Sequence, residues 1–241
     1  MLKFFEDAIR GGLSFIADRL CETKGTKRSI FHIDMNNLYG TAQGMPLPIG
    51  EFYWHPNPEN FMKKEVLDGL TLDSDEGYYL EVDLSYPTEL HSQRSHFYFP
   101  CCPETKVMKY KDLSKTSKEL LIKKRGSKKE AKNYKSVKLV SSFRPKRKYK
   151  LHYMLLLQCL QLGLKLERVH RVVCFRQMRF AKPFLDFMTQ KRSQSRSKLE
   201  ENQCKNIANQ LYGKSIERYV YAHIFFVSNF FNKNSQISIL E

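Results

Sequence analysis

The residues best suited to handling phosphate lie in QKRSQSRSKLEENQCKNIANQLYGK, residues 190–214. On a helix of about 3.6 residues per turn, Lys191, Lys198, Lys205 and Tyr212 stand seven apart and drift only about 20° per step. Gln194 and Asn209 fall within about 40° of Lys205. One continuous helix would therefore present Lys191, Gln194, Lys198, Lys205, Asn209 and Tyr212 on one face. Ammonium groups and amides in a row suit a chain of phosphates. A tyrosine one residue before Gly213 can offer its ring to a base or sugar. Arg192 and Arg196 lie about 140° and 180° away from Lys205 on the same helix. They reach the same ligand only if the segment breaks before Lys205. The simpler alternative is a solvated helix, in which Glu201 pairs with Lys205 at i,i+4.

A second candidate is IFHIDMNNLYG, residues 30–40. The run SIFHID, residues 29–34, has the apolar character of a buried strand. It carries Asp34 into a polar turn that ends in Leu38-Tyr39-Gly40. A carboxylate there is an oxygen donor for a hard cation. Two other acidic stretches follow. Asp73-Ser74-Asp75 reads as a turn. Asp83, in DLSYP, reads as a surface-facing residue of a strand.

The elements that must position these residues are mixed. LKFFEDAI suggests a short helix before a turn at Arg10-Gly11-Gly12. GMPLPIGEFYW is too rich in Pro and Gly for a long helix. GYYLEVDL (77–84) and KLERVHRVVCF (165–175) read as strands. SKELLIKK has helical propensity, and the chain becomes loop by Arg144-Pro145. KLHYMLLLQCLQL (150–162) reads as an apolar helix stopped by Gly163, and another helix opens after Pro183. HSQRSHFYFPCCPE reads as loop. The expected class is α+β.

Charge is concentrated. The chain carries net charge +16, and residues 106–150 hold eighteen Lys or Arg against three acids, Asp112, Glu119 and Glu130. Such a run is either a solvated basic segment or a surface that binds nucleic acid by releasing counterions. The size of the imbalance favours the second. No apolar run approaches the ~20 residues of a membrane span, and the N-terminus lacks the apolar core of a secretory signal. A nuclear or cytoplasmic location follows, with a mitochondrial presequence left open. The six cysteines show no C-x-x-C spacing, which suits a reducing compartment. The adjacent Cys101 and Cys102 are poor joint ligands for zinc.

Together the motifs resemble a family B DNA polymerase of the protein-primed branch, which includes viral enzymes and Polinton (Maverick) transposons. Asp34-Met35-Asn36-Asn37-Leu38-Tyr39-Gly40 resembles motif A, D-x-x-S-L-Y-P. Lys205 to Gly213, KNIANQLYG, resembles motif B, K-x-x-x-N-S-x-Y-G. Ile9-Arg10-Gly11-Gly12 stands where the family has Y-x-G-G. GMPLPIGEF, YYLEVDLSYPTELH and LGLKLERVHRV also read like Polinton-type sequences, so the resemblance covers most of the chain.

The resemblance implies template-directed nucleotidyl transfer in DNA replication. Its partners would be a DNA primer-template, a dNTP and a terminal (priming) protein, with no membrane. Asp34, with the backbone carbonyl of Met35, would bind Mg²⁺ (or Mn²⁺) in a palm of antiparallel strands, where two ions about 3.5–4 Å apart clamp the reacting oxygens. Tyr39 would exclude a 2′-hydroxyl. Lys205 would bind the triphosphate, assisted by Lys191, Arg192 and Lys198. Asn209 and Tyr212 would line the base-pair pocket. Arg10, Gly11, Gly12, Gly213 and Lys214 would contact DNA.

The implied layout is an exonuclease–palm junction at 1–28, a partial palm at 29–45 and an insertion at 46–180, basic at 106–150. Helical fingers follow at 181–216, and 217–241 begin the post-fingers region or a tail. The chain departs from the family at Asn37, Gly40 and Gln210, and at Ile9. No Y-x-D-T-D-S motif C is present in these 241 residues, so the expectation is a polymerase fragment with an incomplete two-metal site. The alternative is a catalytically inactive binding remnant.

Overall fold

The computed structural model describes residues 1–14, 20–23, 29–92 and 100–215. The helices among them are α1 (Leu2–Glu6), α2 (Leu38–Gln43), α3 (Lys64–Asp68), α4 (Lys115–Arg125), α5 (Lys128–Lys132), α6 (Tyr153–Gln161), α7 (Lys182–Ser193) and α8 (Lys198–Ser215). The strands are β1 (Leu47–Trp54), β2 (Glu76–Ser85), β3 (Glu104–Lys109), β4 (Lys135–Val140), β5 (Lys146–His152) and β6 (Lys165–Met178). The class is α+β, as expected. A curled antiparallel sheet has the order β1-β6-β2-β5, and β3 and β4 pair separately.

The chain divides into two compact units. The first comprises Met1–Phe31 and Pro48–Gln177. The second comprises His32–Leu47 and Met178–Glu241.

The first unit holds the large sheet and the main core. Along β2, Leu80, Val82 and Leu84 alternate toward the buried side and are fully enclosed. They pack with Tyr149, Leu151, Val169, Val172 and Cys174 from the neighbouring strands and with Tyr153, Leu156 and Cys159 of α6. The period of two puts Tyr79, Glu81 and Asp83 on the opposite face. There α1 supplies a cover: Phe5 lies edge-on to Phe52 and Tyr79, and Phe4 to Trp54. Residues 1–10 therefore dock on the sheet. Lys150 Nζ donates to Asp7 at 2.7 Å, and the Arg10 guanidinium sits 3.9 Å from the Tyr149 ring centre.

Asp83 is not surface-facing; only 9% of it is exposed. A buried carboxylate must be paired, and this one accepts from the Lys148 backbone N–H at 2.7 Å and from Arg147 at 3.3 Å. His170 Nε2 is 3.0 Å from the same carboxylate, out of line for a hydrogen bond. Burial pushes its pKa up, and the Lys148 N–H with His170 and Arg147 more than reverses this. Glu81 is held in the same way by a two-pronged Arg171 at 2.8 and 3.1 Å. The turn expected at Asp73-Ser74-Asp75 is present.

The basic stretch contains more structure than the sequence suggested. α4 does form over SKELLIKK, started by Ser114 and ended by Gly126 at φ 78°. It sits with α5 between the strands of a six-pair hairpin, β3 to β4, and β5 follows Pro145 directly. Lysine-rich strands have low intrinsic β preference, which hid them. The apolar helix also starts later than expected, at Tyr153, because 150–152 complete β5 and His152 caps α6.

In the second unit, α7 and α8 pack together and α2 packs on α8. Pro183 occupies the first turn of α7, as expected. The expected strand at 29–34 does not form. These residues are exposed and lie in no helix or strand. An apolar hexamer becomes a strand only where a neighbouring edge takes up its backbone hydrogen bonds, and no described strand pairs with this one. The antiparallel sheet therefore exists, but not around Asp34.

Candidate nucleotide-binding site

The second unit brings the two motif-like segments together. Asn36-Asn37 turns the chain after Asp34, and Asn37 adopts the left-handed conformation (φ 52°, ψ 46°). Asparagine tolerates that region better than most residues. Its carbonyl accepts from the Thr41 N–H and hydroxyl at 2.9 and 3.0 Å, which starts α2. At the other end of α2 the Gly44 carbonyl accepts from Arg179 at 3.2 Å. This short helix places Tyr39 against Tyr212 of α8, with ring centres 4.6 Å apart and planes tilted by 44°. Both rings keep substantial exposure, 55% and 39%.

The lysine ladder is corrected. Residues 190–214 are not one helix: α7 ends at Ser193, residues 194–197 form a turn, and α8 begins at Lys198. Three serines drive the break. The Ser193 and Ser195 hydroxyls donate back to the carbonyls of Gln190 and Lys191, which competes with helix continuation. The Ser197 hydroxyl accepts the Glu200 N–H, and the Glu200 carboxylate accepts the Arg196 N–H at 2.9 Å. Ser197-x-x-Glu200 is the capping-box spacing, a signal visible in the sequence.

Lys198, Lys205, Asn209 and Tyr212 therefore share α8, while Lys191 and Arg192 belong to α7 and Gln194 caps its end. Lys205 and Asn209 are exposed. The less exposed residues Glu201, Cys204, Ala208 and Leu211 form the neighbouring stripe at helical spacing.

The break changes the partners. Glu201 pairs with Arg192, at 2.7 and 3.1 Å, rather than with Lys205. The Arg192 guanidinium beside it holds the Glu201 carboxyl below the usual range. Lys191 lies 5.6 Å from the Phe187 ring centre. Gly213 has nothing within 4 Å of where a side chain would begin, so a ligand backbone can approach it closely. Lys214 is exposed at the end of the same helix.

Arg10, Gly11 and Gly12 belong to the first unit. Arg10 Nη1 donates to the carbonyls of Ala8 and Lys150 at 2.9 and 2.7 Å, so that nitrogen is committed to the protein. Gly11 and Gly12 face open space.

Asp34 and Met35 are exposed, and Asp34 makes no hydrogen bond or ion pair among the described residues. A hard divalent cation takes about six oxygens, several of them from carboxylates. Among the described residues no three His, Cys, Asp or Glu side chains gather to hold a metal. One carboxylate and the Met35 carbonyl do not make up the donor set of a two-metal centre. No helix among the described residues is long and apolar enough to cross a membrane. No family model, curated protein or solved structure matches this chain.

Proposed function

We propose that the chain is a DNA-directed DNA polymerase chain of the protein-primed family B type. In this reading the second unit is the nucleotide-handling part and the basic hairpin of the first unit holds DNA. The observation that carries it is the contact of Tyr39 with Tyr212. It joins the DMNNLYG and KNIANQLYG segments, 173 positions apart, inside one unit. Chance motifs would have no reason to meet. The packing of α7 against α8 supports the reading of this segment as two-helix fingers.

Lys205 and Lys198 would neutralise the triphosphate. Asn209 would hydrogen-bond the nucleotide, and the exposed side of the contacting ring pair would form one platform for the sugar and base. The priming protein and the primer-template would be the macromolecular partners. A metal ion, when bound, would supply Lewis-acid activation of the phosphate. The second reading, a binding chain without catalysis, is favoured by the incomplete carboxylate set around Asp34.

The test has two arms on the purified 241-residue chain. In the first, labelled dNTP and primer-template DNA are titrated. Lys205→Ala should weaken dNTP binding by about tenfold, the worth of a hydrogen bond to a charged group, and Tyr212→Ala by about tenfold, the worth of a base stacked on an aromatic ring. Absence of dNTP and DNA binding by the unaltered chain would overturn the reading. In the second, incorporation is measured with Mg²⁺ or Mn²⁺ beside Asp34→Ala. Incorporation lost in Asp34→Ala supports the catalytic reading. Binding without incorporation supports the second.

A further inference from the structure

The segment Pro100-Cys101-Cys102-Pro103 is pinned from three sides in the first unit. The Ser141 hydroxyl donates to the Pro100 carbonyl at 2.8 Å. The Cys101 N–H donates to the Tyr86 hydroxyl at 2.5 Å. The Tyr149 hydroxyl donates to the Pro103 carbonyl at 3.0 Å. Flanking prolines remove backbone freedom as well. Within this frame Cys102 adopts φ 58°, a left-handed conformation that costs a non-glycine residue about 1–2 kcal/mol.

What the strained backbone achieves is a meeting of thiols. Cys102 Sγ lies 3.4 Å from Cys159 Sγ of α6, and both residues are buried. Cys101 is partly exposed, and its thiol also reaches Cys159. Two cysteines adjacent in the chain thus lie beside a third, Cys159, that is 57 positions beyond Cys102. Among the described residues no three His, Cys, Asp or Glu side chains, these thiols included, are arranged to hold a metal.

We propose that Cys102 and Cys159 are a reversible dithiol–disulfide site, with Cys101 as the point of attack for a peroxide. The Cys101 thiolate displaces hydroxide from hydrogen peroxide, becoming a sulfenic acid, and the hydroxide leaves as water with the thiol's proton. Cys159 then attacks that sulfur. Its proton and the sulfenic hydroxyl leave as a second water, and a Cys101–Cys159 disulfide remains. Cys102 attacks Cys159 in turn, and Cys101 departs, taking up the Cys102 proton. Peroxide is reduced by two electrons and the Cys102–Cys159 pair is oxidised by two. Hydrogen bonding with Cys101 and Cys102, together with burial, holds the Cys159 thiol far above its ordinary pKa. It therefore stays reduced until Cys101 has reacted.

The product ties the foot of the β3–β4 hairpin to a core helix, since Cys102 stands two residues before Glu104. A bridge across that many residues constrains the unfolded chain and raises stability. The site stands independently of the polymerase reading.

The test is to treat the full chain with hydrogen peroxide, alkylate the remaining thiols and map crosslinks by fragmentation mass spectrometry. The expected result is a Cys102–Cys159 linkage, two hydrogens lighter than the dithiol, reversed by dithiothreitol and accompanied by a rise of several degrees in Tm. Cys21, Cys174 and Cys204 should be recovered alkylated. Cys101→Ser should still form the linkage, several-fold more slowly. Cys101 is partly buried against the core, and serine nearly matches it in size, so an unchanged urea midpoint of the reduced variant separates chemistry from folding. A Cys101–Cys102 vicinal bridge, a persistent Cys101–Cys159 bridge, or all six thiols remaining alkylatable would each overturn the proposal. So would an unchanged oxidation rate in Cys101→Ser, for the role given to Cys101.

Discussion

The Tyr39 ring stands 4.6 Å from the Tyr212 ring, at a tilt of 44°. An aromatic pair of this kind contributes about 0.5–1.5 kcal/mol beyond its area. Tyr39→Ala and Tyr212→Ala should therefore destabilise non-additively. A double-mutant cycle in urea should return a coupling of about 1 kcal/mol. In the dNTP titration the double variant should bind no worse than the weaker single variant, because under the proposed function the two contacting rings act as one platform for the ligand. Additive losses in both measurements would mean that the rings act separately.

Asn37 and Gly40 form a matched pair. A Cβ on residue 40 would fall 2.3 Å from Asn37 Nδ2, and Gly40 is buried. Gly40→Ala should cost about 1–3 kcal/mol through overpacking. Asn37→Gly, which keeps the positive φ without a side chain, should recover most of that loss in the same background. Asn37 and Gly40 are thus one packing solution. If Gly40→Ala alone left the urea midpoint unchanged, that coupling would be disproved.

His152 gives the first unit a pH dependence. Burial lowers its pKa from 6.5 to about 4, and neutral Nδ1 accepts the Met154 N–H that starts α6. The unfolded chain binds more protons between the two values. Stability should therefore be complete above pH 6.5 and fall as the pH drops toward 4, by up to about 3 kcal/mol. His152→Gln should flatten that part of the profile. Thermal unfolding between pH 4 and 7 measures both.

The β3–β4 hairpin places like charges face to face: Lys106 opposite Lys138 and Lys109 opposite Lys135. Such pairs are unfavourable, and a polyanion relieves them. Lys138→Glu should raise Tm at low salt, by the equivalent of about 0.2–1 kcal/mol. It should also weaken DNA binding and reduce its salt slope by about one to two. A variant that gains stability and keeps its DNA affinity would remove the hairpin from the DNA-binding surface.

Lys146 anchors that hairpin. Its fully buried ammonium donates to Glu104 at 2.9 Å and to the carbonyl and hydroxyl of Ser142 at 3.1 and 3.2 Å. Glu104→Ala leaves the buried charge without its carboxylate and should cost about 3–5 kcal/mol. Lys146→Met with Glu104→Leu should recover most of it, since an apolar pair of similar volume needs no desolvation. Chemical denaturation of the single and double variants distinguishes the two outcomes.

Local patterning in the sequence was enough for the elements whose signals are short-range. The alternation of GYYLEVDL determined β2, Pro183 marked the start of α7, and Gly163 marked the stop after α6. Ser197-x-x-Glu200 carried the start of α8 in full view, although seven-residue spacing alone suggested a longer helix. Tertiary structure decided what depends on distant partners. SIFHID is apolar enough for a strand, but a strand needs an edge to bond to, and this segment pairs with none of the described strands. Asp83 looks solvent-facing by alternation, yet α1 and the arginines of neighbouring strands cover that side of the sheet. Lysine-rich β3 and β4 pair because they face each other across a helical insertion, against their own propensity. Which tyrosine meets which, and which thiols meet at Cys159, were settled by chain segments separated by 173 and 57 positions. Contacts at that separation follow from the packing of whole elements, which local spacing does not encode.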